Sequence, residues 1–329
     1  MKRQLHMTTT KKGPETHLFG ERLRTLTRKS PIILVVLLIE ILLFAVLSKS
    51  FLTVGNLISV TRQASVTAII SFGMTLVIIT GGIDLSVGSI VAVSGVLTAF
   101  EMKMGMPVAL AVVFGLAIGF VAGGINGVVI GMTNIPAFAV TLGMMTAMRG
   151  VAGLISRGSP ISVSDQVEFL KIGGGYVEMV PIPVIIALVV FFVLHLFLSH
   201  TKFGVNVYAV GGNESAANLC GINVKKVKTL VYIINGVLSA ISGIVLTSRL
   251  YSGDPSVGSG FELDAIAATI LGGTSLNGGT GNLVGTLLGS LTIAVLLNGL
   301  TLLNVPYYNQ LVIRGLVVMF ALILMPKTD

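Results

Sequence analysis

Residues 107–131 read PVALAVVFGLAIGFVAGGINGVVIG, a run of 25 residues without one charged side chain. A membrane-spanning helix needs about 20 mostly apolar residues, so this stretch is long enough to cross a bilayer. The whole chain of 329 residues is 53% hydrophobic and 10% charged, whereas soluble domains are about 25% charged. This composition excludes a disordered chain, and a single cysteine excludes a disulfide scaffold. The sequence therefore predicts an all-α polytopic membrane protein.

Comparable apolar runs recur along the chain and predict about ten transmembrane segments, including short or broken helices. The eighth run, 264–274, is shorter than a bilayer-crossing helix, so it predicts either a short span or a re-entrant half-helix. The ten runs lie at 31–47, 64–80, 85–100, 107–131, 135–155, 182–199, 229–247, 264–274, 282–303 and 309–325.

Lysine and arginine positions predict the orientation. Ten spans threaded from a cytosolic N-terminus leave 13 basic residues on the cytosolic side and six outside, in agreement with the positive-inside rule. Both termini are then cytosolic, and residues 1–30 form a basic tail before one transmembrane permease domain, 31–329. Residues 200–228 form a cytosolic loop, whereas 156–180 and 248–264 form outer loops. The net charge of +8 is thus an orientation signal, and a nucleic-acid partner is rejected.

Small residues recur every four positions in the fourth run. Such a stripe lets helix backbones approach closely and predicts tight packing inside one subunit. A contact between subunits is the alternative interpretation. The stripe consists of Gly115, Gly119, Gly123, Gly127 and Gly131.

Two glycine-rich segments, 81–89 and 271–286, interrupt the apolar pattern. Each contains Gly-Gly, four further residues and then Val-Gly-Ser or Val-Gly-Thr, and transporters often contain such repeats with broken helices near the binding site. Asp84 is either a functional intramembrane acid or a helix cap. The candidates for pathway or gate residues are Asp84, Ser86, Gly88, Thr274, Ser275 and Asn277.

Other polar residues inside the apolar runs have structural interpretations. Arg149 is expected to extend its guanidinium toward the outer surface, and Arg314 is expected to pair internally. Asn126, Asn235 and Asn298 are expected to hydrogen-bond across helices.

Motifs for catalysis are missing from the sequence. The segment 271–286 lacks the lysine of a phosphate-binding loop, and the chain has no metal-type histidine cluster. We therefore expect no catalytic residue, no metal site and no cofactor in this chain. If ATP drives transport, a partner subunit binds the ATP and Mg²⁺.

The cytosolic loop contains a short segment that predicts a docking helix. Asn213 is placed to cap it, and Gly221 to end it. The segment resembles the ATPase-coupling loop of ATP-binding-cassette (ABC) importer permeases, whose loose signature is Glu-Ala-Ala followed by glycine. Glu214, Ala216, Ala217 and Gly221 fill this pattern, and Ser215 departs from it.

Further motifs resemble the ribose-type monosaccharide subfamily of these permeases. They are GIDLSVGS at 82–89, GGNE at 211–214, FELDAIAA at 261–268 and LGGTSL at 271–276. The resemblance implies a multi-pass subunit of the bacterial cytoplasmic membrane that imports ribose or a related small sugar. It also implies four partners: a second permease copy or close paralogue, a cytosolic ABC ATPase, an extracytoplasmic sugar-binding protein and membrane lipid.

The outer loops carry acidic residues that we expect to dock the binding protein. They are Asp165, Glu168, Glu178, Asp254, Glu262 and Asp264. A branched-chain amino-acid permease and a self-contained secondary carrier remain as alternative functions at this stage. The identity of the sugar and the choice between a homodimer and a heterodimer also stay open.

Overall fold

A computed structural model describes residues 33–323, so the predicted basic tail at 1–30 lies outside the described residues. The described chain is mostly helical. Its helices are α1 (Ile33–Leu47), α2 (Val54–Ile79), α3 (Val87–Lys103), α4 (Val108–Met132), α5 (Ala137–Ser156), α6 (Val167–Gly174), α7 (Ile182–His200), α8 (Lys202–Gly212), α9 (Glu214–Leu219), α10 (Val224–Leu250), α11 (Phe261–Leu271), α12 (Leu283–Leu302) and α13 (Tyr307–Ile323). Four two-residue strands pair antiparallel, β1 (Ile161–Ser162) with β4 (Ser252–Gly253) and β2 (Tyr176–Val177) with β3 (Val180–Pro181).

Six helices in the described part of the chain are long and apolar enough to cross a membrane. They are α2, α4, α5, α7, α10 and α12. Each of the ten predicted runs falls on a helix, but α1, α3, α11 and α13 are shorter. The prediction of a helical membrane protein is confirmed. The segment 200–228, predicted as a loop with one short helix, also contains the helix α8, which the sequence did not predict.

The helix α2 lies at the centre of the molecule. Over an apolar stretch of 18 residues, 83% of it is buried. The buried polar residues of α2 are Ser65, Ser71 and Thr75, whose hydroxyls bond within the helix or to a neighbour. Ser71 donates to the carbonyl of Thr67, and the hydroxyls of Thr75 and Thr286 lie 2.7 Å apart. These bonds let a serine- and threonine-bearing helix lie inside the bundle without unpaired hydroxyl groups.

The glycine stripe of α4 faces α10 and α3 inside the same chain. A methyl group at Gly119 would collide with the carbonyl of Gly236, and one at Gly123 with the carbonyl of Tyr232. One at Gly115 would collide with Thr98 of α3. Gly127 and Gly131 approach Thr229 and Lys225 in the same way. The stripe is therefore a close backbone contact within one subunit.

The segment between β4 and α11 runs back along α3. Gly253 packs against Gly95 and Ala99 in the middle of α3, whereas Gly258 packs against Gly88 at its first turn. Seven to eleven residues of helix separate these contacts, which corresponds to roughly 10–16 Å along the axis. This segment, residues 253–260, consists mostly of turns and returns from the β1–β4 side to the start of α3, and we refer to it as the re-entrant segment. The helix α11 begins there.

Candidate functional site

The unwound turn between α2 and α3 is the centre of the candidate site. α2 ends at Ile79, and Gly81 has a φ of 78°, a conformation that glycine adopts without steric cost. The chain then stays non-helical until Val87 begins α3. This turn places Asp84 in the interior, where the carboxylate has no exposed surface.

Three hydrogen bonds satisfy the Asp84 carboxylate. Its Oδ1 accepts from the backbone N–H of Ser86 at 2.8 Å and from the hydroxyl of Ser86 at 2.6 Å. Its Oδ2 accepts from the amide of Asn235, on α10, at 2.8 Å. A buried carboxylate is costly without such partners. Asp84 therefore satisfies the N–H of Ser86, which has no partner within α3, and it also joins the start of α3 to α10.

Two more helices attach to the same turn. The amide of Asn126, on α4, donates to the hydroxyl of Ser86 at 3.0 Å, and the hydroxyl of Thr141, on α5, lies 3.2 Å from the carbonyl of Ile83. The hydrogen bonds predicted across helices for Asn126 and Asn235 are confirmed, and Asn298 pairs with Asn56. Thr141 was missed, because a lone threonine in an apolar run gives no sequence signal.

The second glycine-rich segment meets the first at the end of α2. The N–H of Gly279 donates to the carbonyl of Ile79 at 2.9 Å, and Gly278 has a φ of 81°, close to that of Gly81. The hydroxyl of Tyr208, on α8, donates to the carbonyl of Gly281 at 2.8 Å. Burial raises the pKa of Tyr208 to about 12, so this donor stays protonated. The two segments and α8 thus form one assembly.

The pathway and gate candidates differ in exposure. Asp84, Ser86, Gly88 and Thr274 are buried, Ser275 is half-buried, and Asn277 is exposed. A methyl group at Gly88 would collide with the carbonyl of Gly258, so this glycine forms a backbone contact with the re-entrant segment. Only Asn277 faces solvent directly in this conformation.

Two half-buried arginines hold the re-entrant segment and α11. The guanidinium of Arg149 donates to the carbonyls of Pro255 and Val257 at 2.7 and 2.6 Å. The prediction that it extends to the outer surface is therefore wrong. Arg314 lies 3.2 Å from Asp264, which confirms the expected internal pair. The expectation that Asp264 docks the binding protein is wrong, because its exposure is 3% and it faces Arg314.

The other predicted docking acids lie nearer the surface. Asp165, Glu168 and Glu178 are exposed around α6 and the β2–β3 pair. Asp254 and Glu262 are half-buried, and each accepts a backbone hydrogen bond in its own loop, from Ser256 at 2.8 Å and from Gly260 at 3.1 Å.

The segment predicted to couple to an ATPase forms the short exposed helix α9. Asn213 caps it by accepting from the N–H of Ala216 at 2.9 Å, and Gly221 follows it with a φ of 83°. Ala217 is buried, whereas Glu214 and Ala216 are exposed. Glu214 also pairs with Lys228 of α10 at 2.6 Å. The helix is thus fixed at its inner face and free at its outer face.

These features define a class of protein: a polytopic helical membrane protein with a buried polar turn, a short helix α11 that begins beside α3, and a projecting short helix α9. Residues 56–322 match the model of a family described as branched-chain amino acid transport system / permease component. The chain belongs to this family.

Several relatives align over most of their length. The ribose import permease protein of Bacillus subtilis is 45% identical over 88% of this chain and 90% of its own, and that of Haemophilus influenzae is 43% identical over 88% and 90%. The D-allose transport system permease protein of Escherichia coli is 38% identical over 85% and 86%. No solved structure matches this chain. The chain is therefore a multi-pass permease component, a transport subunit rather than an enzyme.

Proposed function

We propose that this chain forms the translocation pathway of an ATP-driven, binding-protein-dependent importer of ribose or a related monosaccharide. The observation that carries the proposal is the identity of 43–45% to ribose import permease proteins over 88% of the chain. The buried site is compatible with a neutral substrate. Its one carboxylate is fully hydrogen-bonded, and the guanidinium groups of Arg149 and Arg314 are already engaged.

A branched-chain amino acid is the alternative substrate, and the family description names it. A zwitterionic substrate needs fixed charges or helix ends to match its own charges. Arg149 and Arg314 are occupied by the re-entrant segment and α11. The sugar names of the similar relatives and these engaged charges both favour the sugar.

The proposed topology has ten membrane segments with both termini in the cytosol and the permease domain at 31–329. The excess of 13 basic residues inside over six outside supports it. The contacts of α8 with the end of α2 and with the second glycine-rich segment bring these features to one side of the bundle, and the proposed topology makes it the cytosolic side. The paired strands β1 and β4 then lie on the outer side.

A cytosolic ABC ATPase is the proposed partner of α9 and binds the ATP and Mg²⁺ that this chain does not. The free outer face of α9 supports this contact, since Leu219 is 89% exposed and Ala216 is exposed beside it. The inner face rests on α10 through the Glu214–Lys228 pair, so a movement of α9 reaches the membrane helices directly.

A second permease copy is the proposed neighbour of α5. Over an apolar stretch of 18 residues, only 11% of α5 is buried. Methyl groups placed at Gly143, Gly150 and Gly153 would contact no atom of the described residues. Small residues on an open helix face favour close helix association in a membrane. The pathway then lies between the two α5 helices, lipid covers the remaining apolar faces, and Asp165, Glu168 and Glu178 receive the sugar-binding protein.

Reconstitution tests the proposal. Vesicles containing this chain with its ATPase, and the binding protein outside, are expected to accumulate labelled ribose only when ATP is present on the ATPase side. Uptake by the chain alone after ATP depletion would instead identify a secondary carrier. Uptake of leucine but not of any monosaccharide would identify the amino-acid alternative.

A further inference from the structure

Two arginines flank the end of α6. Each lies two residues outside an apolar run of its own helix, Arg62 on α2 and Arg249 on α10. The guanidinium of Arg62 donates to the carbonyl of Gly174 at 2.8 Å, and the preceding Gly173 packs against the backbone of Arg249. The two guanidinium groups are close enough to repel each other. Arg62 and Arg249, the arginine pair, thus place two positive charges at one point of the surface.

The arginine pair has no carboxylate partner among residues 33–323. Both ion pairs in this part of the chain lie elsewhere, on α9–α10 and on α11–α13. The acids of the neighbouring elements, Glu168 of α6 and Glu178 between β2 and β3, are exposed. Two like charges in a half-buried place are unfavourable without a counter-charge. An anion from outside the chain would supply it.

The arginine pair also keeps N–H donors free for such an anion. The side chain of Arg249 makes no hydrogen bond to a described residue, and Arg62 uses only its Nη2. Arg62 Nε is buried and takes no part, but Nη1 of Arg62 and the side-chain nitrogens of Arg249 are not among the buried atoms that lack a partner. These nitrogens are therefore accessible. The planar guanidinium group matches the oxygens of a phosphate.

The level of the arginine pair in the membrane favours a lipid phosphate. The ends of apolar runs mark the border between the hydrocarbon and the headgroup regions, and both arginines lie just outside such an end. The guanidinium carbon of Arg62 lies 4.5 Å from the ring centre of Tyr176, a residue type that is enriched at this border. Every phospholipid carries its phosphate at this level, so the local phosphate concentration is high.

We propose that the arginine pair binds the phosphate of a phospholipid headgroup in the outer leaflet. This inference rests on the proposed topology and not on the identity of the substrate. The phosphate oxygens bridge α2 and α10 and remove the repulsion between the two guanidinium groups. The helical bundle is therefore more stable with a phosphate-bearing lipid than without one.

Native mass spectrometry of the purified full chain in detergent tests the site. The wild type is expected to bind dioleoyl phosphatidylglycerol, and Arg62→Gln and Arg249→Gln each raise its dissociation constant about ten-fold, because a charge-assisted hydrogen bond is lost. The matched control Arg157→Gln changes an exposed arginine at the end of α5 and leaves the constant unchanged. Dioleoylglycerol has the same acyl chains without the phosphate, and it is expected to bind the wild type and the variants equally.

Melting temperatures distinguish a lipid phosphate from free phosphate. Phosphatidylglycerol is expected to raise the melting temperature of the wild type and of Arg157→Gln, and to raise it less in Arg62→Gln and Arg249→Gln. Inorganic phosphate at the same concentration is expected to give no rise, because it is not concentrated at the border of the micelle. Each rise is measured against the same variant without lipid, so a variant that is only less stable does not imitate the loss of the site.

Two results overturn the inference: equal retention of phosphatidylglycerol by all three variants, or an equal rise in melting temperature with inorganic phosphate. Unchanged lipid retention together with weaker association of the sugar-binding protein with Arg62→Gln and Arg249→Gln would also overturn it, and would assign the arginine pair to that protein. A wild-type transporter without ATP-driven ribose uptake contradicts the proposed function alone, since lipid retention is measured without transport.

Discussion

Asp84 links the turn before α3 to α10 and, through Ser86, to α4. Its carboxylate takes hydrogen bonds from Ser86 and from Asn235, and Ser86 takes one from Asn126. The turn before α3 is thereby joined to α4 and α10 through short polar bonds. From the sequence, Asp84 is either a functional acid or a helix cap. In the structure its carboxylate accepts hydrogen bonds from the N–H of Ser86, next to the start of α3, and from the amide of Asn235 on α10.

Asp84→Ala is expected to destabilise the protein and to abolish uptake, because it leaves the N–H of Ser86 and the amide of Asn235 without an acceptor. The cost is roughly 2–5 kcal/mol for the unsatisfied buried groups. Asp84→Asn is expected to retain most of the stability, since the Asn235 side chain can rotate and present its unpartnered Oδ1 to the new amide. Thermal unfolding in detergent, together with ATP-driven uptake, measures both effects. Equal loss in the two variants would contradict this arrangement.

At the scale of single elements, α4 and α10 approach so closely that one face of α4 accepts only glycine. Adjacent glycines on α4 allow a matched comparison. A methyl group at Gly123 would collide with the backbone of Tyr232, whereas one at Gly124 would lie at an ordinary 3.8 Å from Ile233. The face toward α10, rather than glycine as such, therefore sets the constraint.

Gly123→Ala is expected to separate α4 from α10 and to lower the melting temperature. Overpacking of this kind costs typically about 1–3 kcal/mol. Gly124→Ala is expected to be neutral or stabilising by up to about 1 kcal/mol, because alanine is the better helix former. Melting temperatures of the two purified variants test the difference, and a reversed order would show that the two faces have been misassigned.

The helix α9, the proposed coupling helix, has only six residues, so its cap is a large part of its stability. Asn213→Ala removes the acceptor for the N–H of Ala216 and is expected to cost about 1 kcal/mol of local helix stability. Sugar-stimulated ATP hydrolysis in the assembled transporter is then expected to fall several-fold. The control Asn218→Ala changes an exposed residue of the same helix and should have a smaller effect.

At the scale of the whole molecule, chain segments from the two halves of the sequence interlock. The re-entrant segment 253–260 lies along α3 and is held by Arg149 of α5, while Arg314 of α13 pairs with Asp264 of α11. Backbone contacts and charged hydrogen bonds thus hold residues 253–260 against α3 and α5.

Arg149→Met is expected to loosen the re-entrant segment, because the carbonyls of Pro255 and Val257 lose their charged donor. In a Cys220→Ser background, a cysteine introduced by Val257→Cys should react several-fold faster with a membrane-impermeant maleimide added outside. Arg157→Met, which changes an exposed arginine next to α5, is the matched control. Unchanged labelling in Arg149→Met would show that the segment is held by packing alone.

The sequence by itself determined the helical membrane class, the order of the apolar helices and the local ends of α9. These features depend on composition and on residues within a few positions of one another, such as Asn213 and the N–H of Ala216. Only the tertiary structure decided which polar residues meet. Asp84 and Asn235 are 151 positions apart, and Tyr208 and Gly281 are 73 apart, so no local pattern relates them.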